Sequence, residues 1–529
     1  MLLSFTACGK NKDGTGYLFR YDLSADPKNL DPQVAVDTAS LIVIRNIYTG
    51  LFTVSENGAI ENALALDYIV SDDGLVYDIS IRDDNYWANA DSKKEQIRVT
   101  AKDFEYAFKR IFNPHISSPY KNNFICIKNA QKIISGELDY SELGVTAISD
   151  FSLRIELDYP NADFLSLLTT TPAMPCNSSM FLSTKGKYGL DPENTYSNGP
   201  FYVKQWEYDP YGKNNYLILR KNKKYSDKDE ISPSSLNFFI KKNYSERVLD
   251  FEKENTDCII VSGSDKLVEN TKYIQTEYKS KTLGIIVNTE DKYFSQKDFR
   301  EALCKSIDRQ LFESEIGHGR SPAYAIVPPA VNILNKSYRE LISDKTKVKC
   351  DIPLASEKWS ASLAENDIAA ISGINIIVEE GTENSDELNL ITSQWQEKLG
   401  FFCGIEVLPT EEYNRRISDG EYTLALVSVN GDHNSPSAIL SNFASDNEDI
   451  VWGYSNEEFD EIYNSAIHSE KLSDSVQLYS EAESAILDDF SFIPVFYESE
   501  YLICTDETEG IIYNPFTKEL NFIRAKNYD

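Results

Sequence analysis

Carboxylates are the most abundant reactive side chains in this 529-residue chain, with 84 Asp and Glu against 52 Lys and Arg, 4 His and 8 Cys. Two facing carboxylates can act as acid and base. With so many present, some pair can always be matched, and a solvated acidic surface accounts for them. His115, His318, His433 and His468 lie far apart and form no HxH, HExxH or Cys/His cluster, so a metal site or zinc hydrolase is not indicated. The chain has no GxSxG elbow, no P-loop and no GxGxxG after a strand. Cys8, Cys126, Cys176, Cys258, Cys304, Cys350, Cys403 and Cys504 form no CxxC pair and read as scattered small core residues. If Cys8 carries lipid, at least one of the other seven is a free thiol.

What remains is one loop, Val429-Asn430-Gly431-Asp432-His433-Asn434-Ser435-Pro436, directly after a strand at 422–428. In open α/β sheets ligands bind beyond the carboxyl ends of strands. Asp432 offers that position a carboxylate, with Asn430 and His433 as polar neighbours. Asn-Gly-Asp is also a common turn composition, in which the Asp caps the loop.

The elements that position this loop follow from periodicity. Residues 17–30 read as a strand leading into Ala25-Asp26-Pro27, and 38–49 as a buried helix stopped by Gly50. Glu56-Asn57-Gly58 and Asp72-Asp73-Gly74 are hairpin turn signals, the second preceding Leu75, Tyr77, Ile79 and Ile81 on alternate positions. Thr100 and Asp103 form a capping box for a helix whose apolar face is Phe104, Ala107, Phe108, Ile111 and Phe112, ended by Asn113-Pro114. Ser152 to Leu157 alternates as a strand. Residues 201–208 and 216–220 pair across Asp209-Pro210-Tyr211-Gly212. From about 279 the pattern becomes strand, helix, strand: Leu283–Val287, a helix capped by Ser295, Ile374–Val378, a helix with Leu388, Ile391, Trp395 and Leu399, Ile405–Leu408, a helix at 411–419, then 422–428. Helices capped by Ser455 and Ser473 follow. This alternation implies an α/β architecture with parallel or mixed sheets.

Length predicts three or four domains. A formal charge of -32 argues against nucleic acid and against broad adhesion to anionic lipid, and slightly favours cationic ligands. No run approaches the length of a membrane helix. Met1-Leu2-Leu3-Ser4-Phe5-Thr6-Ala7-Cys8 and the small-polar tether Gly9 to Gly16 resemble the end of a bacterial lipoprotein signal, with Cys8 as the lipid attachment site. The basic region that opens such signals is missing, which implies a start codon further upstream.

Read in order, the segments resemble the extracellular solute-binding proteins of ABC importers. The similarity is to family 5, the branch with oligopeptide- and dipeptide-binding proteins. Leu30-Asp31-Pro32-Gln33 with Arg45-Asn46-Ile47-Tyr48-Thr49-Gly50-Leu51 resembles that family's opening. Val70-Ser71-Asp72-Asp73-Gly74-Leu75, then Val99 to Phe104 with Phe108-Lys109-Arg110, follow at family spacing. So do Ser197-Asn198-Gly199-Pro200-Phe201, Arg300-Glu301-Ala302-Leu303, Ile307-Asp308-Arg309, Val327-Pro328-Pro329 and Ile493 to Tyr497.

The resemblance implies a periplasmic-binding-protein-like, two-lobed clamp of mixed sheets flanked by helices, with a third inserted domain. The tether is 1–16. Lobe I takes 17–60, 181–278 and 505–529, domain II is 61–180, and lobe III is 279–504. A hinge is expected near Gly199-Pro200 and 279–284. The implied function is a monomeric, lipid-anchored receptor, not an enzyme and without cofactor, that delivers peptides to a membrane permease and its ATPase. In peptide binders of the family the loop resembles "WxADYxxP", and its Asp pairs with the peptide's α-ammonium. Asp432 falls there, while Val429, Gly431 and His433 replace the family's Trp, Ala and Tyr. Thr38 matches a ligand-facing stretch and reads equally as a helix N-cap. Tyr120 matches a segment that approaches the ligand and reads also as plain packing. Other readings stay open: the same clamp holding an oligosaccharide, for which 5 Trp, 32 Tyr and 26 Phe offer stacking surfaces, or a surface peptide sensor. An extracellular hydrolase is the weakest, and nickel is poorly served by so few His.

Overall fold

The structure, a computed structural model, describes residues 17–90, 96–209, 211, 214–312, 319–342, 346–381, 385–445, 447, 452 and 454–527. Cys8 and its tether, His318, and Pro210 and Gly212 of the expected turn lie outside the described residues. The chain divides into two compact units: Met1–Val261 with Asn270–Thr276 and Leu502–Asp529, and Ser262–Glu269 with Glu277–Tyr501.

Unit 1 holds β1 (Leu18–Leu23), α1 (Thr38–Ile47), the hairpin β2 (Phe52–Val54) and β3 (Ile60–Asn62), β4 (Ala65–Val70), β5 (Val76–Ile81) and α2 (Ala101–Phe112). They are followed by β6 (Val145–Ser149), β7 (Ser152–Glu156), β8 (Phe201–Glu207), β9 (Tyr216–Lys221), β10 (Ser235–Ile240), α3 (Tyr244–Glu252) and β11 (Cys258–Ser262). Among the described residues one sheet runs β1-β10-β9-β8, with β1 parallel to β10 and the rest antiparallel, and a second runs β4-β5-β7-β6. α2 forms as its spacing predicts. Phe104, Ala107, Phe108, Ile111 and Phe112 are all buried, and the Asp103 carboxylate accepts from Thr100 N–H at 2.9 Å. That carboxylate also accepts from Trp87 Nε1 (3.1 Å) and Asn177 Nδ2 (2.8 Å), so the cap residue ties three segments together.

The blocks that carried the family resemblance in this unit hold its core. The Arg110 guanidinium is buried and donates to Asp31 Oδ1 (3.1 Å), Asp31 Oδ2 and Gln33 Oε1 (2.8 Å). Gln33 in turn donates to the Pro172 and Met174 carbonyls. Arg45 Nε reaches Glu519 Oε2 at 2.8 Å, and Asn46 both donates to Leu520 O and accepts from Phe522 N–H, which fixes the returning C-terminal segment to α1. Gly199 lies inside unit 1 rather than at a link between units. A Cβ there would stand 2.7 Å from Ile47 C and Tyr48 N, so only Gly allows that backbone approach. The links between units fall instead at 261/262, 269/270, 276/277 and 501/502.

Unit 2 begins its main sheet with β12 (Ile274–Val287, from Glu277 onward), much longer than the strand expected at 283–287. There follow α4 (Lys297–Lys305), β13 (Arg320–Pro322), the small hairpin β14 (Asn332–Ile333) and β15 (Lys336–Ser337), α5 (Ile352–Glu365), β16 (Ile374–Glu379) and α6 (Ser385–Leu399). Then come β17 (Cys403–Leu408), α7 (Thr410–Ser418), β18 (Leu424–Val429), α8 (Pro436–Leu440), α9 (Glu457–Ile467), α10 (Leu472–Asp489) and β19 (Phe492–Cys504, in this unit as far as Tyr501). The sheet order β19-β12-β18-β16-β17 is mixed: β18 is antiparallel to β12 and parallel to β16, and β16 is parallel to β17. Helices α4, α5 and α6 pack through an aromatic cluster in which Trp359 meets Phe299 and Phe401 at 5.1 Å each, and Trp395 donates Nε1–H to Leu303 O.

Several caps differ from expectation. Asp37, not Thr38, caps α1, its carboxylate accepting from Ser40 N–H at 2.9 Å; an ionised oxygen is the stronger acceptor. Gln296 precedes α4, because Ser295 closes a turn by donating its N–H to Asp291 O. Asn456 caps α9 through Phe459 N–H (3.1 Å), one residue after Ser455. Ser473 sits inside the first turn of α10, which starts at Leu472.

Asp22 on β1 is 7% exposed, and both its carboxylate oxygens are buried without a hydrogen-bond partner among the described residues. Burial, and then the carboxylate of Asp250 on α3, push its carboxyl up to about 7, against 3.8 in a solvated chain. Between those values the folded state holds a proton that the unfolded chain has lost. Unit 1 therefore loses stability as pH rises through that window, at up to about 1.4 kcal/mol per pH unit. Asp22→Asn should raise stability in urea titrations more at pH 8 than at pH 5, by about 2–3 kcal/mol. An equal gain at both pH values would show that Asp22 does not titrate there.

Candidate functional site

The loop after β18 is set by the strand before it and the helix behind it. Val429, the last strand residue, is buried opposite Thr282 of β12. Ser435 then caps α8, its Oγ accepting from Ser437 N–H at 3.1 Å, with Pro436 in the first helical turn. Asn442, just past α8, donates Nδ2–H to Asn430 O (2.8 Å) and to Ile439 O (2.9 Å), holding the start of the loop against the helix end. On the far side Asn332 N–H of β14 donates to Asn434 Oδ1 at 2.8 Å. The loop is thus pinned at Asn430, Asn434 and Ser435.

Between the pins the Asp432 side chain is 63% exposed, and His433 Nδ1 lies 2.7 Å from Asp432 Oδ1. An ionised carboxylate only accepts, so the imidazole carries its proton on Nδ1 in this contact. The His433 side chain itself is only 11% exposed and acts as a fixed prop. The result is an outward carboxylate on a braced loop at the carboxyl end of a central strand. Chemically it can take a cationic donor, and an ammonium fits it.

Gly431 explains one departure from the family pattern. A Cβ there would stand 2.8 Å from Ala438 Cβ and 3.2 Å from Ile439 Cδ1, so the loop lies closer to α8 than an Ala would permit.

The structure brings Asn430, Asp432 and His433 together on this loop of unit 2. Thr38 and Tyr120 belong to unit 1. Thr38 is exposed at the first position of α1. Tyr120 is half-buried and donates its hydroxyl to Ala35 O, while Ser118 Oγ donates to Gln33 O at 2.7 Å, so residues 118–120 hold the stretch before α1. Burial raises the Tyr120 hydroxyl to about 12.

Sequence reading missed the residue that supports Val327-Pro328-Pro329. The Glu483 carboxylate of α10, fully buried, accepts from Ile326 N–H and Val327 N–H at 2.8 Å each and from Arg339 Nη1 at 2.9 Å and Nη2. A signal existed: Glu483 falls on the apolar face with Tyr479, Ala482 and Ile486. No disulfide joins any of the seven cysteines beyond residue 16 in this structure; Cys350 is exposed and Cys403 half-buried.

Three comparisons bear on this geometry. Residues 59–450 match the family described as bacterial extracellular solute-binding proteins, family 5 middle. The oligopeptide-binding protein of Bacillus subtilis is 25% identical over 518 residues, covering 95% of this chain and 91% of that protein. The probable deoxycholate-binding periplasmic protein of Escherichia coli is 24% identical over 520 residues, covering 96% and 94%. The oligopeptide-binding protein of Listeria monocytogenes, solved with bound peptide, superposes with a TM-score of 0.69 at 24% identity over 97% of this chain and 99% of that one. The last agreement establishes the fold.

Gly431→Ala should press the loop off α8 and lower stability by about 1–3 kcal/mol, as overpacking does. Adding Ala438→Gly should recover part of the loss, because the shortest of the contacts is Cβ to Cβ. Thermal melts of both variants test this; an unchanged melting temperature for Gly431→Ala would refute the close approach.

Proposed function

The chain belongs to the bacterial extracellular solute-binding proteins of family 5, and from that premise we propose that it is the lipid-anchored peptide receptor of an ABC importer. Membership makes it a binding protein and not an enzyme. The peptide cargo is supported by the nearly full-length similarity to an oligopeptide-binding protein. The single observation that carries the reading is the Asp432 carboxylate, outward-facing and braced by His433 at the end of β18. A free peptide amino terminus is the cation that such a carboxylate recognises once both groups leave water. Asn430 and His433 flank it, and Thr38 and Tyr120 complete the set of ligand-facing residues in this reading. Lobe I takes 17–60, 181–278 and 505–529, with 61–180 inserted and 279–504 forming the other lobe. The loaded receptor hands its peptide to a permease and its ATPase.

A second reading keeps the fold and changes the cargo. It is supported by the 24% identity over 520 residues to a relative named as a probable deoxycholate-binding protein.

Calorimetry decides between them. Truncating one member of a desolvated charge pair costs about 2–5 kcal/mol, roughly 30-fold or more in affinity. Asp432→Ala should weaken a free-amino peptide by at least that factor. N-acetylation of the peptide should do the same to the wild type, and the two losses should not add. Equal binding of free and acetylated peptide by the wild type would remove Asp432 from this role.

The anchor is tested separately. Cells fed a clickable fatty acid should label the wild-type chain and not Cys8→Ala. Equal labelling of both would exclude Cys8 as the attachment site.

A further inference from the structure

Two cysteines face each other where two strands leave unit 1. Cys258 opens β11 and Cys504 ends β19, and both belong to unit 1. Thr505 N–H donates to Asp257 O at 3.2 Å, and within unit 2 Gly263 N–H donates to Ser499 O at 2.9 Å. From 257 to 263 is six residues forward, and from 505 to 499 is six back, so the strands run antiparallel without a bulge. In this register 257 faces 505 and 258 faces 504. Hydrogen-bonded and non-hydrogen-bonded pairs alternate along an antiparallel ladder, which makes Cys258 and Cys504 a non-hydrogen-bonded pair. Such residues have Cα atoms about 4.5 Å apart with side chains on the same face. That separation lies inside the disulfide range of about 4.4–6.8 Å.

Both thiols are buried, at 1% and 5% exposure. Burial pushes the Cys504 thiol up to about 12, and burial followed by the neighbouring Cys504 holds Cys258 well above the ordinary range. Once the strands have closed, neither thiol forms the thiolate that exchange requires.

We propose that Cys258 and Cys504 are a disulfide-forming pair, oxidised during folding outside the cell by thiol–disulfide exchange with an external disulfide. One cysteine thiolate attacks the external disulfide and expels one thiolate, which takes up a proton. The second cysteine thiolate then attacks the mixed disulfide and expels the other. Two cysteine thiols lose two electrons and two protons, and one external disulfide becomes two thiols. An extracellular family supplies the oxidising compartment. The bond ties together the ends of two strands that carry the chain between the units, and it closes a loop running from 258 to 504, the long kind in which cross-linking constrains the unfolded chain most.

The test refolds the reduced full chain from urea with either oxidised glutathione or dithiothreitol, then blocks thiols with N-ethylmaleimide in denaturant and maps peptides by mass. The wild type refolded with oxidised glutathione should carry two blocked thiols fewer than after dithiothreitol. It should also yield a linked peptide containing Cys258 and Cys504, and unfold at higher urea. Cys504→Ala refolded with oxidised glutathione should keep Cys258 blocked. If that variant does not fold, the wild-type map decides alone. Wild-type protein with a native circular dichroism spectrum and both cysteines blocked after refolding with oxidant would overturn the proposal, as would Cys258 linked to any other cysteine.

Discussion

Unit 1 is organised around a buried guanidinium. Arg110 sits in the last turn of a helix whose inward residues, apart from Asp103 in the first turn, are apolar, and a charge taken out of water there survives only if it is paired and hydrogen-bonded. Asp31, Gln33 and Cys176 Sγ (3.3 Å) supply the acceptors, and the ring of Phe181 lies 4.2 Å beneath the guanidinium. Because Asp31 and Gln33 are two residues apart, the pairing fixes a short stretch of backbone. Gln33 relays it to Pro172 and Met174, and Ser118 and Tyr120 grip the carbonyls that follow. The entry to α1 is therefore positioned from several sides at once.

Unit 2 solves a similar problem with the opposite charge. Glu483 is buried on α10, and its partners are two backbone N–H groups and Arg339. Thr282 Oγ1 donates to Ile326 O at 2.6 Å, so the same stretch is tied to the strand that faces β18. The loop bearing Asp432 gains its definition from this kind of support. Its own residues are polar and small, and Asn442, Asn332 and α8 hold it in place.

Much of this was legible in the sequence, and the failures have physical causes. α2 was readable because its five apolar residues recur at helical spacing and are all buried. α5 went unread because it buries only Ala355, Trp359 and Ser362, a face too small and too polar to stand out. The early part of β12 went unread because Gln275 to Lys281 is mostly polar; it is a strand through its pairing, not its hydrophobicity. Caps were misplaced by one or two residues where Ser stood beside a better acceptor or inside a turn. The strand-end loop was found from alternation and position. Its supports were not, since Glu483 and Arg339 lie 144 residues apart and Asn442 reads as an ordinary loop residue.

The C-terminal segment bears on the order of assembly. Phe522 packs against Phe19 at 4.8 Å, Tyr21 at 5.7 Å and Phe238 at 6.0 Å, and Asn46 holds its backbone. The core of unit 1 therefore contains residues from both extremes of the chain, while every residue of unit 2 lies between Ser262 and Tyr501. At about 5–20 residues per second, the ribosome needs roughly 12–48 s to pass from Val261 to Leu502. During that interval the N-terminal half exists without the aromatic side chain that closes its sheet. The packing of Phe19, Tyr21 and Phe238 is therefore completed only once Phe522 has been made.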